Sequence, residues 1–222
     1  MLAYNFNFAP VWRSFDKLID GLLLGLAMAA ISLAIGTVLG LLLAYGRLSP
    51  NRWLRGLTWI YCEIFRNSPL LLLVFFMFFG LPELGITFLA KIESFVVTLT
   101  LYAAAYLTEV FRAGLASVPK GYTDAAKAIG LRPWQRQVYV IWPVMFRIAL
   151  PALGNNLISL FKDTSLAAAI AVPELTFYAR QINVNTFRVM EAWLTASALY
   201  LATSYAIAIG LRLLERRYSS IR

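Results

Sequence analysis

Histidine is absent from the 222 residues. Imidazole is therefore unavailable for metal ligation and for acid–base catalysis near neutral pH. Cysteine occurs once, as Cys62 inside an apolar run, so no disulfide can close within the chain. No G-x-x-x-x-G-K-[ST] loop is present to cradle nucleotide phosphates, so any ATP used must be bound by another chain. Carboxylates are few, and none face each other at helical spacing. With no catalytic residue and no metal site to name, an enzyme is not expected. Residues 1–19 lack the basic start, short apolar run and small-residue cleavage site of a signal peptide. Their mixture of aromatics and charges predicts an interfacial lead-in helix.

What is abundant is apolar surface: 60% of residues are hydrophobic and the mean hydropathy is +0.70, outside the range of soluble folds. Lys and Arg number 20 against 11 acids, for a net charge of +9. In a soluble chain that surplus would suggest nucleic acid. Here the positive charges sit at the ends of apolar segments, where membrane orientation accounts for them and no nucleic-acid partner is expected. The predicted class is all-α, a single polytopic membrane domain over 1–222 with about five spans, near residues 21–45, 57–81, 94–113, 142–161 and 194–211.

Within these spans a few features stand out. Gly21, Gly25, Ala29, Ser32, Gly36 and Gly40 form a small-residue stripe, and Ala198, Ala202, Ala206 and Gly210 a second; such stripes admit close helix contacts. Glu63 and Arg66 are spaced to pair at i,i+3. Glu109 lies near the end of span three with Arg112 one turn on; an intramembrane carboxylate faces a cavity, a partner or its own cation, and the pair and a substrate role stay open for it. Pro151 predicts a broken helix at mid-depth in span four, making Asn155 and Asn156 candidates for the lining of a solute route, with packing as the competing role. The short apolar run before Glu174 is too brief to cross and reads as re-entrant or interfacial, followed by an amphipathic helix.

Between spans three and four lies GYTDAAKAIGLRPWQRQVYVIWP, residues 121–143, a polar and basic interruption. Thr123 is placed to cap a helix, Asp124 suits its positive end, alanines favour it and Gly130 stops it; Pro133 then fits the first turn of a second helix. The segment reads as a folded protrusion that docks.

These residues carry a resemblance. Asp124-Ala125-Ala126, three residues, Gly130, nine residues, Val140, one residue, Trp142 and Pro143 resemble the EAA signature of the membrane-spanning subunits of ABC importers, with Asp for Glu, Val for Ile and Trp for Leu. The resemblance implies that the loop is a cytoplasmic coupling helix seated in a cleft of an ATPase. Gly121, Asp124, Ala125, Ala126, Gly130 and Pro143 would then be the coupling residues, with Pro119 and Pro133 shaping the loop. The stretches FRNSPLLLLVFFMFFGLP from Phe65 to Pro82, Ala105 through Gly121 and KDTSL from Lys162 further resemble polar amino-acid permeases, which adds Lys162 and Asp163 to Glu109, Asn155 and Asn156 as pathway candidates. The implied partners are an ATPase dimer that uses the ATP, a second permease subunit, an extracytoplasmic amino-acid-binding protein and membrane lipid; this chain itself binds no cofactor. A secondary transporter or channel without an ATPase is the alternative.

Basic residues precede span two (Arg47, Arg52, Arg55), occupy the central loop (Arg112, Lys120, Lys127, Arg132, Arg136) and follow span five (Arg212, Arg216, Arg217, Arg222). The positive-inside rule then predicts a bacterial inner-membrane protein with the loop and C-terminus cytoplasmic and the N-terminus outside.

Overall fold

The computed structural model of the chain describes residues 4–219, with side chains up to residue 215; Arg222 and the side chains of Arg216 and Arg217 lie outside the described residues. Every regular element among these residues is helical. In order they are α1 (Ala9–Arg13), α2 (Phe15–Arg47), α3 (Arg52–Asn67), α4 (Leu70–Phe75), α5 (Leu81–Glu83), α6 (Lys91–Ala116), α7 (Lys120–Ala128), α8 (Pro133–Arg136), α9 (Trp142–Asp163), α10 (Leu175–Thr186) and α11 (Val189–Ser219). A π-helical turn, Phe76–Gly80, joins α4 to α5, a second, Gln137–Ile141, joins α8 to α9, and a 3-10 turn, Thr164–Ile170, follows α9.

Among the described residues four stretches are long and apolar enough to cross a bilayer: α2, α6, the run Pro133–Ile170 and α11 as far as Glu215. The fifth expected span, near residues 57–81, is not one helix. It divides into Arg52–Asn67 and Leu70–Glu83, bent by 106°. Ser68 is extended because a proline follows it, and Pro69 caps α4 without an N–H to continue α3. Pro151 behaves oppositely, and the break expected there is absent: α9 runs through it. Proline deletes only its own donor, and neighbouring groups in a membrane helix can tolerate that loss. Nor do Glu63 and Arg66 pair as expected. Asn67 donates to Glu63 at 2.7 Å, and Arg66 lies over the Tyr106 ring, 5.6 Å from its centroid.

The chain forms two compact units. Unit 1 comprises residues 1–32, 69–99 and 157–209, and unit 2 residues 33–68, 100–156 and 210–222. In unit 1 the first small-residue stripe meets the segment after α9: Gly21 lies against the Glu174–Leu175 backbone and Gly25 against Thr164. Ser32 Oγ donates to the Val96 carbonyl at 3.3 Å. The fully buried Glu174 caps α10, accepting from the N–H groups of Thr176 and Phe177 at 2.9 and 2.8 Å and from the Tyr200 hydroxyl at 2.7 Å. The helix expected from Glu174 therefore begins there. At the other end of unit 1 the buried Glu191 holds the chain before α1, accepting from Asn7 N–H at 2.7 Å and from the Tyr4 hydroxyl.

The 3-10 turn closes through a Schellman pair, Val172 N–H to Ala167 and Ala171 N–H to Ala168, each at 3.1 Å, with Ala171 at φ 57°. Lys91 Nζ donates to the Ala171 carbonyl at 2.7 Å. A left-handed alanine costs about 1–2 kcal/mol. Ala171→Gly should therefore raise the thermal midpoint by about 2–4 °C and Lys91→Met should lower it, read by melting of the purified protein. A midpoint unmoved by both would remove the strain.

In unit 2, Gly36 and Gly40 let α2 close on α6 at Ala103, Ala104 and Leu107, over a core of Ala44, Leu107, Phe111, Met145 and Ala149. The first stripe is thus used within the chain. The second is not: Ala198, Ala202, Ala206 and Gly210 are all exposed, with open space beside Gly210.

Candidate coupling site

α7 starts four residues earlier than the Thr123 cap predicts. Pro119, extended at φ −60° and ψ 136°, is the capping residue, and Thr123 falls inside the first turns. Proline's fixed φ and missing N–H suit the boundary of a helix better than a hydroxyl one turn further on. The end is as expected. Gly130 sits at φ 78° and completes a Schellman motif, Leu131 N–H to Ala126 at 3.1 Å and Gly130 N–H to Lys127 at 2.9 Å. Arg132 then caps α8, its N–H donating to Gln135 Oε1 at 2.8 Å, with Pro133 at the first helical position.

This geometry splits the loop residues into two sets. Ala126 is buried, 3% exposed, and faces inward. Gly121, Asp124, Ala125 and Gly130 are exposed, and nothing lies within 4 Å of where a Cβ would stand on Gly121 or Gly130. Asp124 makes a surface pair with Lys127 at 3.1 Å, worth little by itself. Exposed apolar side chains accompany them: Tyr122, Ile129 at 75% and Trp134. α7 is thus a short closed knob anchored at Ala126, with Tyr122 and Ile129 exposed beside the anchor and Lys120, Asp124 and Lys127 on the far side.

Its far end is tied to α2 by a relay that sequence reasoning missed. The Tyr45 hydroxyl donates to Gln137 Oε1 at 2.8 Å and accepts from Trp142 Nε1 at 2.7 Å. Trp142 is one of the three departures from the EAA pattern, and its indole N–H makes a bond that the usual leucine cannot. Pro143 follows, exposed, and lines an apolar groove of about 430 Å³ with Phe146, Arg147, Leu150 and Leu214.

The pathway candidates divide between the two units. Glu109, in unit 2, is gripped by two guanidinium groups: Arg112 Nε at 2.8 Å and Arg47 Nε at 3.1 Å. The Arg112 pair was one of its open alternatives; Arg47, from α2, was not foreseen. Asn155 is exposed, and Asn156 Nδ2 donates back to the Ala152 carbonyl at 2.8 Å. Lys162 is exposed and Asp163 partly buried, both in unit 1. No group of three or more His, Cys, Asp or Glu is placed to hold a metal among the described residues.

The family model described as "binding-protein-dependent transport system inner membrane component" matches residues 36–220. The chain belongs to this family. Among curated members it is 36% identical over 216 residues to the probable amino-acid ABC transporter permease YckA of Bacillus subtilis, covering 97% of this chain and 95% of that one. It is 34% identical to the glutamine transport system permease GlnP of Escherichia coli, covering 96% and 98%. A solved amino acid ABC transporter, crystallised with histidines, contains a chain that superposes with a TM-score of 0.88 at 28% identity, covering 96% of this chain and all of that one. Family membership accounts for the helical architecture, for the inner-membrane setting and for the EAA spacing.

Proposed function

We propose that this chain is the membrane-spanning permease subunit of an ATP-driven importer of polar amino acids. The observation that carries the reading is α7: a helix closed by proline and glycine at its two ends, anchored at Ala126 and exposing Tyr122 and Ile129, in a family whose members here are named as amino-acid permeases. Such a knob suits a cleft in a separate ATPase subunit, one copy per permease. ATP binding and hydrolysis then take place in that partner. Through the Schellman turn, α8 and the Tyr45–Gln137–Trp142 relay, movement of α7 reaches α2 and α9, both spans.

Charge supports the orientation. Of the 20 Lys and Arg, 14 belong to unit 2 with four of the 11 acids, leaving six bases and seven acids in unit 1. By the positive-inside rule the loops of unit 2, α7 among them, face the cytoplasm, and the N-terminus lies outside. An extracytoplasmic binding protein delivers the amino acid on that outer side. The exposed small-residue row on α11 supports a second permease subunit, identical or related, as the neighbour. Against an ion-driven carrier, the intramembrane carboxylate Glu109 is already engaged by two arginines. Asn155, Asn156, Lys162 and Asp163 remain the candidates for contact with the solute.

The test is reconstitution with the ATPase and binding protein in vesicles. Uptake should require ATP and persist without an ion gradient, and one class of polar amino acid should stimulate hydrolysis. Asn155→Ala and Asn156→Ala should change uptake or its specificity while the ATPase stays bound, whereas Glu109→Ala should weaken assembly of unit 2 first. Uptake driven by an ion gradient in the absence of ATP would overturn the reading.

A further inference from the structure

Unit 1 contains a polar pocket unconnected with the coupling loop. It lies between the start of α2 and the face of α10, has a volume of about 110 Å³, and is lined by Ser14, Lys17, Tyr178, Gln181, Asn185 and Thr186 over an apolar floor at Ile182. Thr186 spends its hydroxyl on the Ile182 carbonyl at 2.7 Å; the other five polar side chains make no side-chain hydrogen bond or ion pair with another described residue, although every one can donate. A single ammonium group among hydroxyls and amides, with no carboxylate in the lining, is an anion cradle. Its volume admits a tetrahedral oxyanion and little more.

Position selects the source of the anion. The apolar stretch of α2 opens at Gly21 and Leu22, so Lys17 stands about 6–8 Å before it along the helix. That is the depth of the headgroup layer, about 5–8 Å thick on each side of the hydrocarbon. Trp12, 65% exposed, packs on Phe15 with ring centroids 5.1 Å apart, and this pair is an aromatic marker of the same boundary one turn away. Lys17 reaching along the surface with its charge at that level is the usual disposition of an interfacial lysine. We propose that the pocket formed by Ser14, Lys17, Tyr178, Gln181 and Asn185 binds the phosphate of a membrane phospholipid, one per chain, bridging α2 to α10.

The experiment uses the intact assembly with its ATPase, purified from vesicles of phosphatidylcholine doped with phosphatidylglycerol, and counts retained phospholipid by native mass spectrometry. The wild type should keep one phospholipid per permease chain through a detergent wash. Lys17→Gln combined with Asn185→Leu should lower that retention at least about tenfold, the effect expected from losing one charge-assisted hydrogen bond. Lys17→Arg should restore it. A parallel arm adds inorganic phosphate to lipid-stripped assembly. Phosphate that binds at Lys17 where phosphatidylglycerol does not would overturn the lipid as source, and equal retention in wild type and double variant would overturn the site. A third arm measures capture of the binding protein. Loss of that capture in the double variant with lipid retention intact would overturn the proposal in favour of a protein contact. None of these outcomes depends on which solute is carried.

Discussion

Gly130→Val should bring substrate-stimulated ATP hydrolysis by the reconstituted assembly down to its basal rate, while the protein still inserts and the ATPase still hydrolyses slowly by itself. The cause lies in the backbone. Gly130 holds φ 78°, where a β-branched residue is strained by roughly 1–2 kcal/mol. Relaxing that strain surrenders the two bonds that close α7, from Leu131 and Gly130 to Ala126 and Lys127. Misplacing the knob by even that energy changes productive docking about tenfold. Nothing lies within 4 Å of the missing Cβ, so no clash inside the chain competes as an explanation. Gly130→Asn provides the control, because asparagine tolerates the left-handed region and should retain most of the coupling. Equal activity of the valine and asparagine variants would refute the dependence on backbone conformation.

Ala126 makes the complementary case. It is buried and supplies the carbonyl that Leu131 N–H bonds, so it is both the anchor of α7 and the acceptor of its C-terminal motif. Tyr122 and Ile129, four residues before it and three after it on the same side of the helix, are exposed, have no such role within the chain and are the residues left over for a partner. A force applied to those two side chains is carried by a turn with few soft dihedrals: Gly130 in one well, Arg132 capped by Gln135, Pro133 locked. The relay through Tyr45 delivers it to α2.

What sequence showed in advance was local. The Gly130 stop, the Pro133 start and the EAA spacing all depend on residues within one or two turns, where capping chemistry and steric rules act directly. What it did not show depended on distance. Tyr45 and Gln137 are 92 positions apart, and neither carries a mark that distinguishes it from any other interfacial polar residue. Arg47 reaches Glu109 across 62 positions in the same way. The two membrane prolines illustrate the limit best. Pro69 follows an extended Ser68 and ends a helix, and Pro151 lies inside one that continues. One residue type produced opposite outcomes: Pro69 stands at a boundary behind an extended residue, whereas Pro151, exposed, removes one donor from a helix that continues. Thr123 failed as a cap for a simpler reason: Pro119 had already set the boundary.

Glu174→Ala should produce the largest loss of stability, about 3 kcal/mol or more, and lower the thermal midpoint by roughly 6–12 °C. Its carboxylate serves three donors at once in a fully buried setting; alanine would leave the Thr176 and Phe177 N–H groups without an acceptor and the Tyr200 hydroxyl with Thr176 Oγ1 alone, 3.0 Å away. The backbone at this point also cannot withdraw. A Cβ on Gly21 would stand 2.6 Å from the Glu174 carbonyl carbon and 2.7 Å from the Leu175 nitrogen, so Gly21→Ala must separate α2 from the start of α10 and should cost a comparable amount. Burial pushes the Glu174 carboxyl above its usual range, opposed by the donors around it. The folded state then binds this proton more tightly than the unfolded state does, so stability from this group falls as pH rises, from near the ordinary glutamate value of about 4.3 until the raised native value is passed. Glu174→Gln keeps an acceptor oxygen and cannot ionise. It should melt closer to wild type than Glu174→Ala does and should flatten the fall in melting temperature above that value. A wild-type midpoint that instead climbs through the same range would mean that the donors outweigh burial, and the cap would be an ordinary ionised one.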